Sequence, residues 1–213
     1  MTRFEFINRL IENMGYTKYL EIGVSTGDCY REIKCDRKQW IDPQPKCNEP
    51  GGIYMPSDDA FLAMDDNETF DLIFIDGDHR WEQVARDIDN AIERLSYQGT
   101  IVMHDCNPQS EQAQLPYPTT GDWNGDVWKA YVLARAKYRD THVMLVVDTD
   151  QGLGVIRKLN DFSLKGRVRY KPDLSELTWR YLDENRQDLL NLLSVEDFWE
   201  WDKIARKLLD MSE

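Results

Sequence analysis

Three acids and two histidines stand where apolar runs stop, and their spacing is the first chemical signal in the chain. Asp76-Gly77-Asp78-His79 follows the run Leu72 to Ile75, and His104-Asp105 follows Ile101 to Met103. Carboxylates and imidazoles grouped in this way can accept a proton, hold a cation or do both. Imidazole titrates near neutral pH, so His79 is the expected base of the first turn. Asp78 is its alternative or its orienting partner, and His104 is a further candidate. Asp78 also stands just ahead of a helix beginning near Trp81, where a carboxylate could cap the first turn.

A second signal lies upstream. Glu21-Ile22-Gly23-Val24-Ser25-Thr26-Gly27 places an acid and two glycines in one tight turn after an apolar strand. Glycines at Gly23 and Gly27 let a backbone approach a ligand closely. The turn is not the dinucleotide fingerprint GxGxxG, and it lacks the Gly-Lys-Ser/Thr of a P-loop. A carboxylate at Glu21 would repel a pyrophosphate but would accept a ligand carrying an amino group. Asp42 follows twenty-one residues later, at a position where a carboxylate can hold ribose hydroxyls. Ser57 and Asp58 follow a third, weaker strand.

The elements that must position these groups are legible from periodicity. Phe4, Ile7, Leu10, Ile11 and Met14 predict a helix over 3–14 that stops at Gly15. Tyr19–Gly23, Gln39–Asp42, Gly52–Met55 and Leu72–Asp76 read as strands. Trp81, Val84, Ala85, Ile88, Ile92 and Leu95 form one helical stripe, and Gly99 precedes a strand over 100–105. Residues 107–125 are rich in Pro, Gly, Gln and Thr and read as a loop, in which Trp123 is the best candidate for a lid. A helix over 127–138 and two strands, 142–148 and 152–157, complete the alternation. The short polar link between those two strands suits an antiparallel pair. Alternating apolar strands and helices predict an α/β fold, a doubly wound and mostly parallel sheet whose ligands sit at the carboxyl ends of the strands. We expect one domain over 1–160 and a helical C-terminal appendage over 161–213, with helices at Leu189–Leu193 and Phe198–Leu209. That appendage would pack on the domain or on a second subunit, as in a homodimer.

Composition narrows the partners. The chain has 213 residues, 26 Lys+Arg against 39 Asp+Glu, and a net charge of −13. A phosphate-tracking surface needs positive charge, so nucleic acid is not an expected partner. No run of about 20 apolar residues spans a bilayer, so no membrane is expected either. Cys29, Cys35, Cys47 and Cys106 form no CxxC pair and read as reduced thiols of a cytoplasmic protein.

Taken in order, Leu20-Glu21-Ile22-Gly23-Val24-Ser25-Thr26-Gly27 resembles motif I of the class I S-adenosylmethionine-dependent methyltransferases. The segment 74–84 followed by 99–105 is similar to the branch containing macrocin-type sugar O-methyltransferases, and more distantly to catechol O-methyltransferases. The resemblance covers about residues 15–157. It implies a Rossmann-like seven-stranded sheet with an antiparallel last strand, and a cytoplasmic enzyme that methylates oxygen on a small-molecule or glycan acceptor. It implies that Gly23 and Gly27 make room for the cofactor's methionine portion, with Glu21 supporting that loop and Ser25 belonging to the cofactor site. Asp42 would hold the ribose, Ser57 and Asp58 would lie near adenine, and Asp76 would close the site. In the metal-dependent branches Asp76 and Asp105 match two ligands of a divalent ion such as Mg²⁺. The third position here is Cys106, with Asn107 one residue later. That departure leaves open a metal-independent N- or carboxyl-methyltransferase, or a protein that binds the cofactor without catalysis. A nicotinamide oxidoreductase is disfavoured by the missing GxGxxG.

Overall fold

The computed structural model describes residues 1–158 and 173–210. In chain order the elements are α1 (Arg3–Met14), β1 (Lys18–Ile22), α2 (Asp28–Glu32), β2 (Arg37–Ile41), β3 (Gly52–Ile53), α3 (Ser57–Ala63), β4 (Phe70–Ile75), α4 (Trp81–Glu93) and β5 (Leu95–Met103). They continue with α5 (Val127–Lys137), β6 (His142–Val147), β7 (Leu153–Lys158), α6 (Trp179–Leu190), β8 (Leu192–Leu193) and α7 (Val195–Asp210).

The strands form one sheet in the order β3-β2-β1-β4-β5-β7-β6-β8. β7 runs antiparallel to both β5 and β6, and the other pairs are parallel. The short link 148–151 therefore does what its length requires. Alternate residues of each strand feed opposite faces. Leu20, Ile22, Ile73, Ile75, Ile101 and Met103 pack under α3, α4, α5 and α6. Tyr19, Trp40, Leu72, Phe74, Val102 and Val155 pack under α1, α2 and α7. The result is the doubly wound arrangement expected, with its topological switch between β1 and β4.

Three differences from the periodicity reading have physical causes. The sheet has an eighth strand, because Leu192 and Leu193, read as helical, pair in parallel with Val146 and Val147. Asn191 ends α6 in the left-handed region at φ 48, and an apolar pair that short carries no period to read. The short helices α2 and α3 leave no period in the sequence, since five and seven residues hold no full amphipathic stripe. Gly99 lies inside β5 and does not separate helix from strand; an added Cβ there would meet Leu95 Cγ at 2.7 Å.

Thr2 and Glu5 form a reciprocal capping box at the start of α1, and Arg3 binds Asp76 and Asp150, which places the α1 amino terminus over the carboxyl ends of the strands. The C-terminal helices join the same core. Phe198 is fully buried, with its ring 4.9 Å from Phe6 and 4.8 Å from Trp199. Arg157 of β7 and Asp202 of α7 are both buried and paired at 2.8 Å, and Arg157 Nε donates to Thr100. The expected appendage lies partly outside the described residues, at 161–172 and 211–213. No helix among the described residues is long and apolar enough to cross a membrane.

This packing sets an expected outcome. Phe198→Ala should cost about 3–5 kcal/mol while unfolding stays a single transition. Two separate transitions in denaturant, followed by near-UV and far-UV circular dichroism, would show instead that α7 unfolds as an independent unit.

Candidate active site

At the switch point the β1 and β4 turns pass very close to one another. A Cβ on Gly23 would lie 2.3 Å from the Asp76 carbonyl oxygen, so only glycine fits, and its φ of 89° suits no other residue well. The room made by Gly23 is thus taken first by the β4 backbone. Gly27 is placed differently from the expectation. It starts α2 and does not line the crevice, whereas Val24, Ser25, Thr26 and Cys29 do.

The crevice has two connected parts that share Gly23, Ser25, Asp76 and Gly77. The larger, about 820 Å³, is lined by Arg3, Glu21, His79, His104, Asp105 and Trp123 among others. The smaller, about 380 Å³, runs past Asp42, Ser57 and Asp78. Asp42 lies at its expected place after β2, where its oxygens accept from the backbone N–H groups of Ser25 and Gln44 at 2.9 and 2.8 Å. Ser57 faces the smaller part. Asp58 does not; its carboxylate is held by Arg86 and Asn90 on α4.

Charge is concentrated in the larger part. Asp76 Oδ2 accepts from Arg3 Nη1 at 2.7 Å, while Asp76 Oδ1 lies 3.4 Å from His104 Nδ1. His104 Nδ1 is also 2.9 Å from Asp105 Oδ2, and its Nε2 is 3.5 Å from Asp150. Burial works against a charge on His104, but Asp76, Asp105 and Asp150 outweigh it and push its pKa up to about 11. His104 is therefore a fixed cation at neutral pH and not a base. Burial likewise opposes ionisation of Asp76 and Asp150, yet His104 and Arg3 hold both below the usual carboxylate range.

Asp78 is separated from this cluster. Arg80 grips it with Nε and Nη2 at 2.9 and 2.5 Å, which lowers its pKa, and it faces the smaller cavity. It does not cap α4; Asp126 Oδ1 accepts from Trp81 N–H at 2.9 Å. His79 remains beside the cluster. Its Nδ1 lies 3.4 Å from Asp105 Oδ2 and forms no hydrogen bond, and its ring stacks on Trp123 at 4.5 Å with an interplanar angle of 12°. The loop carrying Trp123 is fixed against this turn. Asp126 N–H donates to the His79 carbonyl at 3.0 Å, and a Cβ on Gly125 would meet that oxygen at 2.1 Å.

Neither residue considered for a third metal ligand reaches the site. Cys106 is buried against Gly154, with burial pushing its thiol pKa up, and Asn107 is tied to Asp148 and Arg186. Single ligand atoms of Asp76, His79 and Asp105 do lie within 4.8 Å of one another. Arg3, Asn124 and Asp150 escaped the sequence reading. Asn124 Nδ2 donates to Asp105 at 2.9 Å. Asp105 itself has φ 63°, a strained value for a residue that is not glycine. No local pattern marks these residues, because each reaches the site from a distant element.

Glu21 is buried beneath the glycine turn and accepts from Tyr19 Oη at 2.6 Å. Burial raises its pKa from 4.5 to about 8. The folded state then keeps a proton that the unfolded chain releases above pH 4.5, so this group's contribution to stability falls as pH rises through that window. Glu21→Gln should remove the slope. Without ligand at pH 9 its unfolding midpoint should exceed that of the wild type by about 2–4 °C for each kcal/mol recovered, with no gain near pH 4.5. Parallel midpoint curves for the two proteins would contradict this.

With the geometry established, comparisons place the fold. Residues 51–106 match a family model described as a methyltransferase domain. No curated protein sequence matches the chain. Among solved structures, an O-methyltransferase from Bacillus cereus in complex with SAH is similar at 17% identity and a TM-score of 0.52, covering 73% of this chain and 79% of that one. The SAH-bound methyltransferase PaMTH1 of Podospora anserina is similar at 16% identity and a TM-score of 0.56, covering 73% and 77%. The O-methyltransferase TomG of Streptomyces achromogenes, in complex with SAM, is similar at 13% identity and 0.52, covering 73% and 79%. At these identities the likeness is one of architecture: the chain has the Rossmann-like methyltransferase fold, extended by β8.

Proposed function

We propose that this chain is an S-adenosylmethionine-dependent methyltransferase acting on an oxygen of a small-molecule acceptor. The observation that carries the reading is the two-part crevice at the β1/β4 switch point, with Glu21 under the glycine turn and Asp42 at the end of β2. The cofactor's ammonium and sulfonium suit the acid-lined larger part, and its ribose hydroxyls suit Asp42. Methyltransferases of the same fold support the reading. The resemblance of the segment 74–105 to macrocin-type enzymes favours a hydroxylated, glycan-like acceptor, and Trp123 offers such a ring an aromatic face.

Methyl transfer is an in-line displacement in which the acceptor oxygen bonds to the methyl carbon as the carbon–sulfur bond breaks. The acceptor hydroxyl must lose its proton. His79 is the group placed to take it, since His104 is held protonated and Asp78 is held by Arg80. Asp105, 3.4 Å from His79 Nδ1, would stabilise the imidazolium that forms. His104 and Arg3 hold the acid cluster in place.

A second reading is favoured by the spacing of Asp76, His79 and Asp105. Two carboxylate oxygens and one imidazole nitrogen fit a divalent ion, and the nitrogen suits Mn²⁺ or Zn²⁺ better than Mg²⁺. Such an ion would lower the pKa of the acceptor hydroxyl. His79 would then serve as a ligand and not as the base.

Three measurements test these readings. S-adenosylhomocysteine at 100 times its Kd should stabilise the protein by about 2.7 kcal/mol. No shift in midpoint, with calorimetry also silent, would remove the methyltransferase reading. With an acceptor that supports turnover, His79→Ala should lower kcat by roughly 10²–10⁴-fold and leave S-adenosylhomocysteine affinity nearly intact. Near-normal kcat would take His79 out of the chemistry. Exhaustive chelation should leave activity unchanged if His79 is the base; loss of activity restored by Mn²⁺ but poorly by Mg²⁺ would favour the second reading.

A further inference from the structure

The loop after β5 grips the His79 turn at three consecutive residues. Trp123 stacks on the His79 ring, Gly125 packs against the His79 carbonyl, and Asn124 between them is fully buried. The segment is held by its own loop. Trp123 Nε1 donates to the Leu115 carbonyl at 2.8 Å, and Asn124 N–H donates to the Ala113 carbonyl at 2.8 Å. The Asn124 side chain reaches the other way, where its Nδ2 donates to Asp105 Oδ1 at 2.9 Å. Its Oδ1 is buried and has no hydrogen-bond partner among the described residues. A buried amide that leaves one polar atom unpaired costs stability, and packing alone gives no reason to keep it.

The reason lies in the other oxygen of Asp105. With Oδ1 fixed by Asn124, Oδ2 is directed between two imidazoles, 2.9 Å from His104 Nδ1 and 3.4 Å from His79 Nδ1. His79 Nδ1 is buried and has no hydrogen-bond partner of its own among the described residues. Such bonds are often long without ligands and tighten when the site fills. The ring's Nε2 lies 4.0 Å from Asp76 Oδ1, beyond hydrogen-bond reach, and the side chain lines the larger cavity. A neutral imidazole carries one ring proton, and a carboxylate beside Nδ1 holds it on that nitrogen. The free lone pair is then on Nε2.

We propose that Asn124 is a positioning residue for His79: through Asp105 it fixes the Nδ1–H tautomer, so that Nε2 is the atom that takes the acceptor's proton. This rests on the methyltransferase reading with His79 as base, and it names the reacting atom and the residue that aims it. As the acceptor's O–H bond breaks, its proton moves to Nε2, the oxygen's electron pair forms the bond to the methyl carbon, and the carbon–sulfur pair leaves with sulfur. Nδ1–H then donates to Asp105, and the imidazolium afterwards returns one proton to water.

Nitrogen-15 NMR of the histidine rings reads the tautomer directly, on protein without cofactor and treated with chelator. The measurement is made at about pH 9, above the ordinary imidazole range. The chain has 3 histidines. His104 stays doubly protonated there, and loss of one signal in His142→Ala identifies the third. The wild type should show His79 mainly as Nδ1–H, whereas imidazole in water favours Nε2–H. In Asn124→Ala and Asn124→Leu the Nδ1–H fraction should fall by about half or more. Leucine keeps the volume of the amide and carries the test if the alanine variant does not fold. S-adenosylhomocysteine affinity should stay within about twofold of the wild type. With an acceptor that supports turnover, kcat should fall by about 10–100-fold while the acceptor KM changes little. An Nε2–H ring in the wild type would overturn the proposal. So would an unchanged tautomer in both variants, the signature of a merely structural role for Asn124. Failure of the wild type to bind S-adenosylhomocysteine would instead remove the methyltransferase reading, and with it the role given to Nε2, even with the tautomer as expected.

Discussion

The site is organised by the need to keep several carboxylates close together without letting them drive the strands apart. Asp76, Asp105 and Asp150 come from β4, the end of β5 and the β6–β7 link, three places far apart in sequence. Unscreened, they would repel in a partly buried space where charge is poorly solvated. His104 touches all three, and Arg3 binds Asp76 and Asp150. The two cations therefore act as fasteners between segments, and they explain why the α1 amino terminus lies over the strand ends. With both in place, the remaining polar groups of the cavity are left to meet a ligand.

Much of the fold was legible because the sheet is buried on both faces. Runs such as Leu72 to Ile75 and Val143 to Val147 are apolar throughout, and α4 shows its stripe clearly. The strand ends followed from the same runs, which is why Asp42, Asp76, His79 and Asp105 fell into one crevice. Where the reading went astray, the signal was either too short or not local. Leu192 and Leu193 could not announce a strand in two residues. The sequence sets Asp58 beside Ser57, but one residue along α3 turns a side chain by about 100°, towards Arg86 and away from the cavity.

The chemistry was read less completely than the fold for a related reason. A base is identified by what surrounds it, and surroundings are tertiary. The sequence offers Asp78, His79 and His104 as near equals. The structure separates them through Arg80 on Asp78, three carboxylates on His104 and Trp123 on His79. Arg80 stands next to this turn in sequence, whereas Asp150 and Trp123 lie 46 and 44 residues beyond His104 and His79.

The two outer strands of the described sheet, β3 and β8, have two residues each. An open sheet usually invites a further strand through unsatisfied N–H and C=O groups along its margin. Here β3 pairs only with Trp40 and Ile41 of β2, and β8 only with Val146 and Val147 of β6, so each outermost strand offers a two-residue margin of its own. Growth by strand addition, including the stacking that leads to fibrils, finds no template in these elements. Two copies that met at β3 or β8 would gain ladder pairing along only two residues of either strand.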